Sequence, residues 1–398
     1  MLRLEDIAGQ DHAVALLGSM LEADRVHHGL IFHGPTGVGK GTTAAALARV
    51  LLCHDRAGGE AAACGACGSC RLFGGPDEPV DTDDYGMPVF DHPDLHWVAK
   101  EMLRYDESKQ VRSRKLMSIP VGVVREHLIE PAYKTPQLGH GKVFIVDEAE
   151  LLNPAGQNAM LKTLEEPPAG TTLILITSSE DRLLPTIRSR CQRIGFGPLP
   201  DEAVGAAVDA ALAAMDDPPQ LSDSMRAWLI GFADGSIGRA QLALDYGLIA
   251  WAKDVRTRLA QAMGGQAVAD LGPVMHEHMD AYAKAVVKRS PQASKDAANK
   301  KAAGLMCALL TVEARRKLAL AAAGENVGVA GIDGWLAVID AVEVYHHRLN
   351  ANVNAALAAA GLGATVAAVL SGSVPPPTDH AMPLTYADRL GGSLRPTA

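Results

Sequence analysis

The sequence predicts a parallel-sheet α/β domain with a cysteine knuckle set into it, followed by a small helical domain and a larger all-helical one. Three observations carry that expectation. Short apolar runs alternate with helical patterns up to about residue 197, as strands buried on both sheet faces require. A glycine loop sits between the first such run and a helix. From Asp201 onward no convincing strand pattern remains, and helical periodicity continues to about residue 360.

The elements follow in order. Ala13, Leu16, Leu17, Met20 and Leu21 recur at helical spacing. Leu30-Ile31-Phe32 is a short buried strand, and Gly34 to Lys40 (GPTGVGK) leads from it into a helix over 41–52. Regular structure resumes near Leu95, and a helix is expected over 121–129. Val143 to Val146 forms a second buried strand that ends in Asp147-Glu148. Asn153 caps the next helix, with Pro154 at its first position, and Glu165-Glu166-Pro167-Pro168 stops it. Thr172 to Thr177 is another strand. Beyond Phe196-Gly197-Pro198, helices are expected over 201–215, 222–232, 236–246 and from 248 to about 360. Residues 1–197, 198–245 and 246–370 are the expected domains, with a tail over 371–398. In the third domain, Trp335, Leu336, Val338, Ile339 and Val342 read as a core-packing helix face.

The chain of 398 residues has 37 Lys and Arg against 46 Asp and Glu, a net charge of −9, which excludes coating of nucleic acid by bulk charge. Aromatic residues are only 4%, favouring close-packed helices over a sandwich or barrel. No secretory signal opens the sequence, and the weakly apolar run 355–370 is short for a bilayer, so a cytoplasmic, non-membrane protein is expected. The acidic, proline-bearing segment 76–94 reads as a solvated surface loop. The basic stretch with Arg112, Arg114 and Lys115 reads as a solvated face, with contact to a nucleic-acid backbone as the alternative.

Chemistry concentrates at four places. The glycine loop has Gly34, Gly37, Gly39 and Lys40 where consecutive N–H groups and an ammonium wrap phosphates. The residue after Lys40 is Gly41, however, and the hydroxyls arrive late, at Thr42 and Thr43. A nucleotide-binding loop and a loop that keeps its glycines for the turn both remain open. Asp147 and Glu148 stand where a magnesium-holding aspartate and a water-polarising glutamate end a strand. Cys53, Cys64, Cys67 and Cys70 supply four thiolates for one tetrahedral structural zinc. A reduced-thiol cluster and an iron–sulfur centre are the alternatives, with His54 as a substitute ligand. Arg190, in Ser189-Arg190-Cys191, is either a surface salt-bridge partner or an arginine finger.

These motifs, in this order, resemble the bacterial DNA polymerase III clamp-loader family. The resemblance rests on Gln10 … His28 running into the glycine loop, the four-cysteine insertion, and Val143 to Glu150. It is extended by Asn158-Ala159-Met160-Leu161-Lys162-Thr163-Leu164-Glu165-Glu166-Pro167-Pro168, Ile187-Arg188-Ser189-Arg190-Cys191 and Leu349 to Leu357. It implies an AAA+-type P-loop fold with a helical lid and a helical collar. Gly41, where a motor subunit carries Ser or Thr, points within the family to the delta-prime branch. The gamma/tau motor is the alternative within the family, and a P-loop phosphotransferase with the same Gly-Lys-Gly-Thr run the alternative outside it.

By the same resemblance, Arg190 acts in trans on a neighbour's ATP, and Glu148 is a doubtful catalytic acid. Arg239 lies at a phosphate-sensing position. Zinc is structural, and ATP with magnesium is the other cofactor to consider. Independent ATPase activity is not expected. The implied partners are the gamma/tau and delta subunits, with the sliding clamp and primer-template DNA reached through the complex.

Overall fold

A computed structural model describes residues 3–56, 61–74, 82, 88–105, 117–290, 293–350 and 355–373. The basic stretch 109–115, most of the acidic segment, residues 351–354 and the tail from 374 lie outside the described residues. Contacts divide the chain into two compact units. One comprises Met1–Ile249 with Tyr282–Asn299, and the other Ala250–Ala281 with Lys300–Ala398.

The first unit is built on a five-stranded sheet. Its elements are α1 (Asp11–Glu22), β1 (Gly29–His33), α2 (Lys40–Leu51), β2 (Leu95–Val98), β3 (Lys142–Val146), α3 (Pro154–Glu165), β4 (Thr171–Thr177) and β5 (Gln192–Gly195). The strand order is β2-β3-β4-β1-β5, and every pairing is parallel. This is the α/β P-loop arrangement the sequence predicts.

Alternation within each strand produces two cores. Leu30, Phe32, Val143, Ile145, Ile174 and Ile176 face α1 and α2. Ile31, Phe144, Val146, Leu173 and Leu175 face the other side, with Met160 and Leu164 of α3 and Val123, Val124 and Leu128. Both faces are dry, so the strands read as apolar runs without polar alternation. The Asn153 side chain accepts from the Gly156 N–H at 2.7 Å, the expected cap. The helix expected over 121–129 is present as Val121–Val124, a π-helical turn Arg125–Ile129 and Glu130–Ala132.

Two strands carry weak sequence signals. In β2, Leu-His-Trp-Val is half-buried at its two central residues, and in β5 only Ile194 is buried. Both are edge strands, and edge positions demand less apolar sequence. The acidic segment also needs correction at its end. Asp94 is not solvated but buried, held by the backbone N–H groups of Gln137 and Leu138 at 2.8 Å each.

Three helices follow in the same unit: α4 (Asp201–Ala213), α5 (Asp223–Ala233) and α6 (Ile237–Asp245). Trp228 and Phe232 stack at their centre, 5.1 Å apart. Tyr246 packs on Tyr282 at 4.8 Å, and Arg289 lies over the Tyr246 ring at 4.6 Å. The remaining helices are α7 (Leu248–Met263), α8 (Leu271–Arg289), α9 (Lys295–Ala322), α10 (Gly331–Asn350) and α11 (Ala355–Leu370).

Within the second unit Trp335, Val338 and Val342 are buried as expected, and the Trp335 indole donates to the Val327 carbonyl at 3.0 Å. Buried Glu313 is paired with Arg256 at 3.2 Å and Arg316 at 2.9 Å. No strand follows β5, and no helix is long and apolar enough to cross a membrane, among the described residues.

The turns into β3 and β4 depend on one backbone crossing. Gly141 has φ +118°, and a Cβ added there would stand 2.3 Å from the Gly170 carbonyl oxygen, the oxygen that accepts from Lys142 N–H at 2.9 Å. Gly141→Ala is therefore expected to cost roughly 3 kcal/mol from backbone strain and overpacking, read as a lower denaturant midpoint with the slope unchanged.

Candidate nucleotide cleft and cysteine knuckle

The glycine loop joins β1 to α2 and adopts backbone angles that side chains resist, with Gly34 at φ +142°, Gly37 at +77° and Gly39 at +99°. At Gly37 a further reason is steric. A Cβ would fall 2.4 Å from Ser236 Oγ and 2.9 Å from Gly238 Cα, so loop and α6 touch backbone to backbone. Gly238 N–H donates to the Gly37 carbonyl at 3.0 Å. Ser236 caps α6 by accepting the Arg239 N–H at 3.1 Å and donates its own hydrogen to the Thr36 carbonyl at 2.8 Å.

Lys40 is almost fully buried, and its ammonium donates to the Gly34 and Pro35 carbonyls at 2.7 and 2.6 Å. Burial lowers its pKa, against the opposing charges of Glu150 and Asp147. A cleft of about 640 Å³ opens beside it. Lys40, Gly41, Thr42, Asp147, Glu148, Glu150, Thr177 and Ser178 line this cleft, together with Ile237, Gly238 and Gln241 from α6.

The late hydroxyls separate in role. Thr42 faces the cleft, whereas Thr43 is buried and donates to the Gly39 carbonyl at 2.9 Å. At Gly41 a Cβ would meet the Trp97 ring at 3.4 Å. A side chain at this position would therefore be in ordinary van der Waals contact with the indole.

The acids behave differently from one another. Asp147 is pushed up to about 6, chiefly by burial and then by the charge of Glu148. Glu148 takes a left-handed backbone at φ +47°, strained for its type, and its carboxylate is paired with the Lys100 ammonium. Burial works against ionisation of Glu150, yet the Ser178 hydroxyl and other donors hold it below the usual carboxylate range.

Arg190 lies outside the cleft. Its guanidinium pairs with Glu165 at 2.6 Å and donates to the Thr186 carbonyl at 2.9 Å. Arg239 turns toward its own helical layer, donating to the Phe232 carbonyl at 3.2 Å, and Gln241 reaches the cleft wall instead. Trp97, Lys100, Ser178, Ser236 and Gln241 are absent from the sequence-predicted set because no motif marks them.

Cys53 follows α2, and Cys64, Cys67 and Cys70 lie around the single turn Gly68–Arg71. Their sulfurs lie within 4.8 Å of one another, with Cys53–Cys67 and Cys64–Cys70 each at 3.9 Å. Tetrahedral thiolates about 2.3 Å from a zinc ion stand about 3.8 Å apart, so the donor set fits. Burial raises the Cys53 and Cys70 thiols. Four adjoining sulfurs cannot all ionise without a cation among them, and this cluster could hold a metal ion. Cys191 and Cys307 are elsewhere and free. A second cavity, about 530 Å³, borders the knuckle between Leu4, Val14 and Val50. Its walls are mostly apolar, and it offers no acid pair or phosphate loop.

Residues 9–200 match the sequence family described as DNA polymerase III, delta subunit. The DNA polymerase III subunit gamma/tau of Mycobacterium tuberculosis is 31% identical over 278 residues, 70% of this chain and 42% of that protein. The delta' subunit of Escherichia coli is 35% identical over 181 residues, 46% of each chain. The chain thus spans less than half the length of these curated relatives. A gamma subunit-related protein from Thermotoga maritima superposes with a TM-score of 0.44 at 14% identity, covering 90% of this chain and all of that one.

Asp147 gives a pH test. A carboxyl pushed up to about 6 in the folded chain favours its neutral form, so its contribution to stability is present at low pH and is lost as pH rises through about 6. Asp147→Asn is expected to unfold at higher temperature than wild type near pH 8. The difference should shrink steadily toward pH 4 in matched thermal melts.

Proposed function

Residues 9–200 belong to the clamp-loader family of DNA polymerase III subunits, and from that premise we propose that this chain is its delta-prime-type accessory subunit, supporting ATP-dependent loading of a sliding clamp onto primed DNA. The observation that carries the reading is Gly41 with the Trp97 ring against it. A motor needs a hydroxyl at that position to hold magnesium, and Gly41 supplies none. The pairing of Glu148 with Lys100 supports the same reading, because a carboxylate engaged by an ammonium is a poor base for water.

In this reading the cleft binds nucleotide weakly or serves as a rigid platform. Arg190 is the residue that acts, reaching a neighbouring motor subunit's ATP; it stands clear of its own cleft, held by Glu165 and Thr186. Arg239 engages phosphate only if the contact with Phe232 is released. Zinc in the four-cysteine site is structural, since four thiolates leave no open position. The gamma/tau and delta subunits are the direct partners, and clamp and DNA are reached through the complex, in the cytoplasm. The domains are 1–197, a lid over 198–245, and a collar over 246–370.

The gamma/tau motor is the second reading, favoured by the intact glycines, Lys40 and the Asp147 carboxylate. Reconstitution with the organism's own motor, delta and clamp subunits on primed DNA separates the two. The isolated chain is expected to release no phosphate from ATP. Arg190→Ala in the assembled loader is expected to lower DNA-stimulated hydrolysis at least about tenfold. Hydrolysis by the isolated chain would establish the motor reading, and an unchanged assembled rate would remove the finger.

Zinc content gives an independent test. The purified chain is expected to carry zinc by elemental analysis, and Cys67→Ala to lose it, with a melting temperature lower by several degrees.

A further inference from the structure

Between the knuckle and the sheet runs a series of buried polar groups that neither the cleft nor the four thiolates use. Ser69, between Cys67 and Cys70, is fully buried. Its hydroxyl donates to the carbonyl of Leu52 at 2.6 Å, the residue that closes α2 and precedes Cys53. The same oxygen lies 2.9 Å from Nε2 of His92, which is only 2% exposed.

The tautomer follows from the donors. The Ser69 proton is spent on Leu52, so the ring must supply the second hydrogen, and Nε2 carries it. Nδ1 is then an acceptor, and the Asp94 N–H donates to it at 3.2 Å. Burial disfavours the charged ring, in keeping with a neutral imidazole. The Asp94 carboxylate takes the Gln137 and Leu138 N–H groups. Two residues further on, His140 stacks on His54 with centroids 4.2 Å apart, and His54 follows Cys53. The circuit begins and ends at the knuckle.

We propose that Ser69 and His92 are positioning residues for the metal site, fixing the Cys67–Cys70 turn against the end of α2 and the start of β2 so that the sulfurs are preorganised for a zinc ion. The inference rests on the reading of the four thiolates as a metal site. Side chains behind the ligands ordinarily set metal affinity by orienting them. Here neither orienting side chain is hydrogen-bonded to a sulfur among the described residues. They hold the turn from which Cys67 and Cys70 project, and His92 enters from the strand side, over twenty residues beyond the last cysteine.

The test uses the full chain loaded with zinc, following zinc release to an excess of chromogenic chelator and, separately, the thermal melt. Ser69→Ala and His92→Phe are expected to release zinc at least about tenfold faster than wild type. His92→Gln, whose amide N–H replaces Nε2–H, should stay within about threefold. Met160→Ala, a fully buried residue in the other core, controls for stability: it should lower the melting temperature and leave zinc release unchanged.

Wild-type release from Ser69→Ala would overturn the proposal, as would acceleration by Met160→Ala equal to that of Ser69→Ala. Should Ser69→Ala fail to fold, the contrast between His92→Phe and His92→Gln decides alone: equal rates overturn the proposal. A wild-type chain that takes up no zinc would overturn the metal reading itself, and the positioning role with it.

Discussion

Because all five strands run parallel, their carboxyl ends share one edge of the sheet, and that constraint places the chemistry of the cleft. Lys40 follows β1, Asp147 follows β3, and Ser178 follows β4; these three strands are neighbours at the sheet's centre. Residues some 140 positions apart in sequence thus line one cleft without any one of them specifying the others. The strands can take this arrangement because both faces are sealed by helices, which satisfies the apolar runs without leaving a polar face.

Within the cleft, electrostatics is settled locally. A buried charge is tolerated only when paired or hydrogen-bonded, and most of the charges here have an internal partner: Lys40 has two loop carbonyls, Glu148 has Lys100, and Glu150 has Ser178. Asp147 accepts the Glu148 N–H at 2.9 Å but has no ion pair among the described residues, and burial shifts it upward. A nucleotide entering this cleft would have to exchange those internal contacts for its own.

The glycine loop is also not autonomous. Its carbonyls at Thr36 and Gly37 accept from Ser236 and from the N–H of Gly238, so the start of α6 is part of the loop's hydrogen bonding. The knuckle shows the same logic at the other end of α2, where Leu52 accepts from Ser69. The P-loop and the end of its helix are therefore held by groups from outside that helix, Ser236 and Gly238 at the loop and Ser69 of the knuckle at Leu52.

The sequence by itself determined the parallel-sheet class, the central strands, α2 and α3, the glycine loop, the four-cysteine cluster and the helical second half. Each rests on local rules: apolar runs, N-cap chemistry, turn glycines and ligand spacing act within a few residues. Edge strands β2 and β5 were not legible, because an edge strand needs only part of its surface buried and so lacks the apolar run. The burial of Asp94 was not legible either, since an acidic, proline-bearing segment looks solvated until the backbone N–H groups that claim its carboxylate are in place. Tertiary structure alone decided that Trp97 stands against Gly41, that Lys100 takes Glu148, that Arg190 pairs with Glu165, and that Gln241 and not Arg239 lines the cleft. Those are contacts between side chains far apart in sequence, and their geometry is fixed by packing, on which no local pattern of residues reports.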